Sequence, residues 1–113
     1  MAKLEKLLNP WLEYRVQWDL LLESAVQIRS WPEEEVFLLR HMVKGKFMLA
    51  PRESVDVVKV LRLEDGSVIY ATTGASHVDY PPLKGYVRTH QYLGCYHLKP
   101  LENNSEHTRF QML

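Results

Sequence analysis

His77, His90 and His97, with Asp79 close by, are the residue types in this chain that invite metal or acid–base chemistry. Zinc needs three or four ligands converging at about 2.0–2.3 Å. His90 and His97 are seven residues apart, so on an unbulged strand they point to opposite faces. A bulge at Gly94 would return them to one face, but no Cys-x-x-Cys or His-Glu-x-x-His spacing accompanies them. Surface or hydrogen-bonded histidines are the expectation, with no metal or other cofactor. Ser76-His77 and Asp79 do not form a triad pattern. Neighbours on an extended chain face apart, whereas nucleophile, base and orienting acid must lie in line. No Gly-x-Ser-x-Gly elbow occurs, and no glycine-rich loop is present to cradle phosphate. Glu33-Glu34-Glu35 follow Pro32 and read as a solvated turn rather than a catalytic carboxylate pair. Cys95 is the single cysteine. It lies between Gly94 and Tyr96 with no cationic residue beside it in sequence to activate it, so a buried, inert thiol is expected. Together these features predict a protein without catalysis.

Charges inside otherwise apolar runs say more. Arg40 and His41 interrupt one run, Asp56 another, and Arg62 and Arg88 two others. A buried unpaired charge is costly. Each of these must therefore sit on an outer face, be ion-paired, or line a wet cavity. Val36, Leu38, Met42, Val58, Val60, Ile69, Tyr92 and Tyr96 would build either an ordinary core or the wall of a cavity for an apolar ligand, with a few polar groups to orient it.

The elements that must position these residues are readable from hydrophobic spacing. Leu4, Leu7 and Leu8 fall at helical intervals. A helix from about Ala2 to Trp18 is expected, broken or bent at Asn9-Pro10, because the residue before proline is driven out of the α region. From Ala25 the period shortens. Strands are expected over Ala25–Trp31, Val36–Val43, Val55–Leu63 and Ser67–Thr73, then a long fifth over Tyr86–Leu98, bulged at Gly94, and a sixth starting at His107. Glu64-Asp65-Gly66 should be a tight hairpin with Gly66 at positive φ. Gly74 to Gly85 reads as a loop fixed by Pro81-Pro82, and Asn103-Asn104 as a further turn. Successive hairpins favour an antiparallel meander.

With 113 residues and formal net charge zero, the chain is at most one domain and projects no broad field toward nucleic acid or acidic membranes. One cysteine permits no intrachain disulfide, which fits a reducing compartment, and the cytoplasm is the expected location. No apolar run approaches the roughly 18 residues that a membrane span needs. The segment Arg109 to Leu113 reads like the middle of a strand, whereas domain ends are usually polar and flexible.

The ordered series from Ala50-Pro51-Arg52-Glu53 through a Val-rich strand, Glu64-Asp65-Gly66, a second strand, Ser76-His77 to Pro81-Pro82 and then Gly85-Tyr86-Val87-Arg88 resembles the central portion of the START family of lipid-binding domains. Tyr14-Arg15 and Trp18-Asp19 are similar to the element before that family's central strands. The resemblance implies an α+β helix-grip fold: an N-terminal helix and a curved antiparallel sheet, here a truncated single domain lacking the C-terminal lid helix. It implies a non-catalytic lipid-binding or lipid-transfer domain holding one sterol, bile acid or phospholipid in a hydrophobic cavity, with binding impaired by the truncation, transient membrane contact and possible self-association. The expected lipid-facing residues are Arg40, Met42, Asp56, Val58, Val60, Tyr70, Tyr92 and Tyr96. His77, Tyr80, Pro81 and Pro82 are expected to form a gate loop. Some sterol-binding members carry an acid–base pair across the pocket, and gap-free counting from Pro51-Arg52 puts apolar Leu39 and Val58 at those places. The alternatives are a regulatory START module attached to an acyl-CoA thioesterase or signalling protein, and an interaction module without lipid.

Overall fold

The computed structural model of the protein describes residues 2–9, 13–101 and 104–112. The helix expected from about Ala2 to Trp18, broken or bent at Asn9-Pro10, takes the form of two short ones, α1 (Ala2–Leu8) and α2 (Glu13–Trp18). Pro10 lies outside the described residues. Helices this short do not hold in water on propensity alone. α1 is held by packing and by one acid: Leu4 and Leu8 lie against the core, and Glu5 accepts from Arg62 Nη2 at 3.1 Å and from the Tyr70 hydroxyl at 3.1 Å. Arg15 ties α2 back, donating to the Leu8 carbonyl at 2.6 Å and to Asp19 at 2.9 Å.

The strands are β1 (Leu22–Trp31), β2 (Val36–Val43), β3 (Arg52–Arg62), β4 (Val68–Gly74), β5 (Val87–Arg88), β6 (Gly94–Leu101) and β7 (Asn104–Met112). They form one sheet in the order β1-β2-β3-β4-β6-β7, with antiparallel neighbours throughout; β5 lies off this path against β3. The hairpin between β3 and β4 forms as expected. Gly66 has φ 83°, Leu63 N–H donates to the Ser67 carbonyl at 2.9 Å, and the Asp65 carboxylate accepts from both the Ser67 amide and hydroxyl.

The long fifth strand expected over Tyr86–Leu98 does not exist as one element. Its first part, β5, pairs parallel with β3 at Arg52↔Val87 and Glu53↔Arg88. β4 pairs with β3 only from Asp56 onward, so the first residues of β3 keep a free edge and β5 fills it. The chain must then cross to the other edge of β4 before β6 can begin. It turns at residues 89–93, where Gln91 accepts from Gly74 N–H at 2.6 Å and the Tyr92 carbonyl accepts from Thr73 Oγ1 at 2.9 Å. Gly94 is therefore the first residue of β6 rather than a bulge within a strand. The last strand begins at Asn104 instead of His107, and the expected turn residue Asn103 lies outside the described residues, as does Leu113.

The two sheet faces carry different cores. One holds Leu39, Val58, Val60, Val68, Tyr70 and Leu98, all buried, beneath α1. The other buries Leu38, Val55 and the carboxylate of Glu53.

Candidate functional site

Between the helices and the first of these faces is a cavity of about 410 Å3. Alternate residues of β2, β3 and β4 reach it, as the pleat requires. β2 supplies His41 and Val43; β3 supplies Ser54, Asp56 and Val58; β4 supplies Tyr70 and Thr72; the start of β6 supplies Gly94, Cys95 and Tyr96. Leu8, Arg15 and Asp19 close it from the helical side and Met112 from β7. The register explains the convergence: Leu39 pairs with Asp56, His41 with Ser54, Tyr70 with Tyr96, and Tyr96 with Met112. The Tyr96 ring also tilts against Phe110, centroids 5.5 Å apart.

One polar cluster interrupts this wall. Asp56 Oδ2 accepts from Ser54 Oγ at 2.6 Å and pairs with His41 Nδ1 at 2.8 Å. When Asp56 is ionised its oxygen only accepts, so this contact then takes the His41 tautomer with its proton on Nδ1. Asp56 is 3% exposed, and its Oδ1 has no hydrogen-bond partner among the described residues. Ser54 gives its hydroxyl proton to the acid rather than to the imidazole, so no nucleophile–base contact forms in this cluster. A second polar point is the Arg15–Asp19 ion pair at 2.9 Å. The third is Tyr70, whose phenol is pushed well above its usual range by burial and then by the charge and hydrogen bond of Glu5.

The opposite face holds a separate charged cluster. Arg88 Nε donates to Glu53 Oε1 and Arg88 Nη2 to Oε2 at 3.1 Å, with Arg40 Nη2 at 3.5 Å from the same oxygen. Arg88 also donates to the Tyr80 carbonyl at 2.7 Å, and the Arg40 guanidinium lies 5.5 Å from the centre of the Tyr80 ring. Burial alone would raise the Glu53 carboxyl. The Arg88 hydrogen bond and charge, the Leu83 amide and the Arg40 charge outweigh it and hold the group below its usual value.

Of the expected lipid-facing residues, Asp56, Val58, Tyr70 and Tyr96 line the cavity. Val60 is buried in the core beside it. Arg40 and Met42 do not line it, because the face of β2 that reaches the cavity carries His41 and Val43, one residue out of phase. Tyr92 is 97% exposed; it lies in the turn between β5 and β6 that replaces the expected continuous strand. His77, Tyr80, Pro81 and Pro82 do not line the cavity either. Tyr80 is drawn to the far face by Arg40 and Arg88, its ring 5.6 Å from His77, and both prolines are exposed. His41, Ser54, Thr72, Arg15 and Asp19 are wall residues that the sequence reading did not select. The parity of Asp56 and Val58 on β3, carried across to β2, was the signal that would have found His41 and Ser54. Leu39 and Val58, the apolar residues at the expected acid–base positions, are both buried. His41 and Asp56 stand one rung away toward the same end of the sheet.

A family model for the START domain matches residues 2–113. Two solved structures share the architecture. "Human StAR-related lipid transfer protein 5" superposes with a TM-score of 0.75 at 28% identity, over 87% of this chain and 49% of that one. Human STARD10 superposes with a TM-score of 0.76 at 21% identity, over 86% of this chain and 38% of that one, which supports the fold alone. The chain thus spans about half or less of the length of these structures. No curated protein matches the chain. A match from one end of the chain to the other, on a curved antiparallel sheet with an apolar cavity beneath short helices, establishes that this chain belongs to the START domain family.

Proposed function

We propose that this chain forms the lipid-holding wall of a START domain and takes up one sterol, bile acid or phospholipid without transforming it. The observation that carries this reading is the 410 Å3 cavity, lined mainly by Leu8, Val43, Val58, Tyr70 and Tyr96 and interrupted by the His41–Asp56 cluster. Burial of apolar ligand surface supplies the affinity, at about 25 cal/mol per Å2, and a few polar groups fix the orientation. The absence of a serine–imidazole contact in the Ser54–Asp56–His41 cluster supports holding rather than catalysis.

The β2–β3 connection supports transient membrane contact. Lys46 and Leu49 close a tight hairpin through two backbone hydrogen bonds, with Phe47 and Met48 at its tip, 92% and 89% exposed. Met48 holds φ 66°, a conformation a long side chain rarely adopts, so the tip keeps its apolar side chains in water at some cost. Lys44 and Lys46 flank it and suit an anionic lipid surface. Among the described residues no helix is long and apolar enough to cross a membrane. A free, half-buried Cys95 suits the cytoplasm. The two outer strands, β1 and β7, offer edges through which copies could associate.

Mass spectrometry of lipid extracted from the purified protein tests the reading. One co-purifying lipid class in roughly equimolar amount is the expected result, and lipid-free protein that takes up nothing from mixed vesicles would overturn it.

A further inference from the structure

Helix α1 roofs the cavity and is lightly held. Leu8, its last residue, lines the cavity, and Leu4 and Leu8 rest half-buried against the core of the sheet. Seven residues make a helix too short to persist in water without such contacts. Two polar ties add to them. Toward β3 and β4, Glu5 accepts from Arg62 Nη2 and from the Tyr70 hydroxyl, each at 3.1 Å. Toward α2, the Leu8 carbonyl accepts from Arg15 Nη1 at 2.6 Å.

Both ties can be released without stranding a charge. Arg62 has a second acid, Glu35, whose two oxygens each lie 3.0 Å from its Nε. Arg15 has Asp19 at 2.9 Å. Each cation therefore keeps a carboxylate when α1 leaves, and the penalty that attends a broken buried pair does not arise. The Arg62 side chain is 52% exposed, so its bond to Glu5 is of the weak, solvent-screened kind. The docked position also has a defect of its own. Asn9 Oδ1, just past the helix, is buried with no partner among the described residues, and water would satisfy it once α1 lifts. We infer that α1 is the lid of the cavity: it lifts from the sheet as a unit, Glu5 is its latch on Arg62 and Tyr70, and the ligand enters and leaves beneath it. The inference rests on the lipid-holding reading for its ligand, whereas the motion is a property of the chain alone. Glu5 does not line the cavity, so it is a positioning residue that acts on the ligand only through α1. Tyr70 joins the two, since it lines the cavity wall and gives its hydroxyl to the latch.

Cys95 is the single cysteine of the chain and lines the cavity, so its rate of reaction with a bulky maleimide reports opening. Glu5→Ala should speed that reaction about tenfold, the population shift expected when one part-exposed ion pair and one hydrogen bond are lost. It should also speed the release of a fluorescent sterol or a fluorescent phospholipid loaded beforehand. Glu5→Gln, which keeps an acceptor for the Tyr70 hydroxyl and loses the charge, should fall between the native protein and Glu5→Ala. Arg62→Ala added to Glu5→Ala should add little to the Cys95 rate, because the latch is already open. Low urea separates a lid from a weakened fold: lifting α1 exposes little surface, so the Cys95 rate should hardly depend on urea. An unchanged Cys95 rate in Glu5→Ala, or one that climbs with urea as steeply as global unfolding does, would overturn the inference. A loaded probe that leaves no faster from the variant would overturn it too, and would leave the lipid-holding reading standing. If neither probe loads, the lipid-holding reading falls, and the Cys95 rates still decide whether α1 lifts. If Glu5→Ala does not fold, Glu5→Gln carries both measurements.

Discussion

Replacing Glu53 by alanine should be among the most damaging single changes on the sheet face away from the cavity. The Glu53 side chain is fully buried, and two guanidinium groups converge on it, their side chains 11% and 16% exposed for Arg88 and Arg40. Truncating the acid leaves both cations beside a void with their shared counter-charge gone. Breaking a buried pair in this way costs about 3–5 kcal/mol. The lower end applies here, because Arg88 keeps the Tyr80 carbonyl at 2.7 Å and Arg40 keeps the Tyr80 ring. A loss of about 3 kcal/mol in a domain of this size lowers Tm by roughly 12–18 °C. The pH dependence supplies a second signature. Glu53 has a folded-state pKa below its ordinary value of 4.5, so its contribution is fully present above that value and is lost as pH falls through the lowered one. The stability gap between the native protein and Glu53→Gln should therefore be widest near neutral pH and close in acid below the ordinary carboxylate range. Circular-dichroism melts of the native protein, Glu53→Gln and Glu53→Ala across that range measure both effects. A Glu53→Ala loss under about 1 kcal/mol, or a Glu53→Gln gap that widens in acid, would refute the argument that Glu53 is the shared buried counter-charge of Arg40 and Arg88.

Gly66→Val forces a β-branched side chain into φ 83° and should cost about 1 kcal/mol or more in denaturant unfolding; an unchanged midpoint would show that the β3–β4 turn does not need this conformation. Phe47→Asp combined with Met48→Asp removes the apolar tip and should weaken co-sedimentation with anionic vesicles by at least about tenfold, while melting as the native protein does; unchanged vesicle binding would remove this hairpin from the membrane contact. The edges of β1 and β7 should support association that grows with protein concentration in sedimentation velocity, and a monomer at every concentration would show that both edges are blunted.

The family and the order of the strands were legible in the sequence because they rest on short motifs in a fixed order: Pro51-Arg52, the Val-rich run of β3, the Glu64-Asp65-Gly66 turn and Val87-Arg88. The face of β2 was not legible. Leu38 and Leu39 are both buried, one on each side of the sheet, so apolar alternation gives no parity there and Arg40 is as plausible a wall residue as His41. Only pairing with β3, where Asp56 and Val58 share a face with Tyr70, fixes the choice. The break in the long fifth strand was hidden for a related reason. Tyr86 to Leu98 is strand-like in composition, but the free edge of β3 at Arg52 and Glu53 captures Val87-Arg88, and that is a tertiary contact. Helix α1 depends on a partner equally distant in sequence: Glu5 finds Arg62 and Tyr70 across the sheet.

The claim that this chain holds a lipid is tested most directly by titrating it with a fluorescent sterol and a fluorescent phospholipid, with Val58→Trp as the companion variant. Val58 is 4% exposed and lines the cavity wall, so an indole in its place fills the space a ligand would take. The account predicts saturable binding of at least one probe at about one per chain, lost in Val58→Trp while the fold persists by circular dichroism. Binding that neither saturates nor responds to the filled cavity would contradict it.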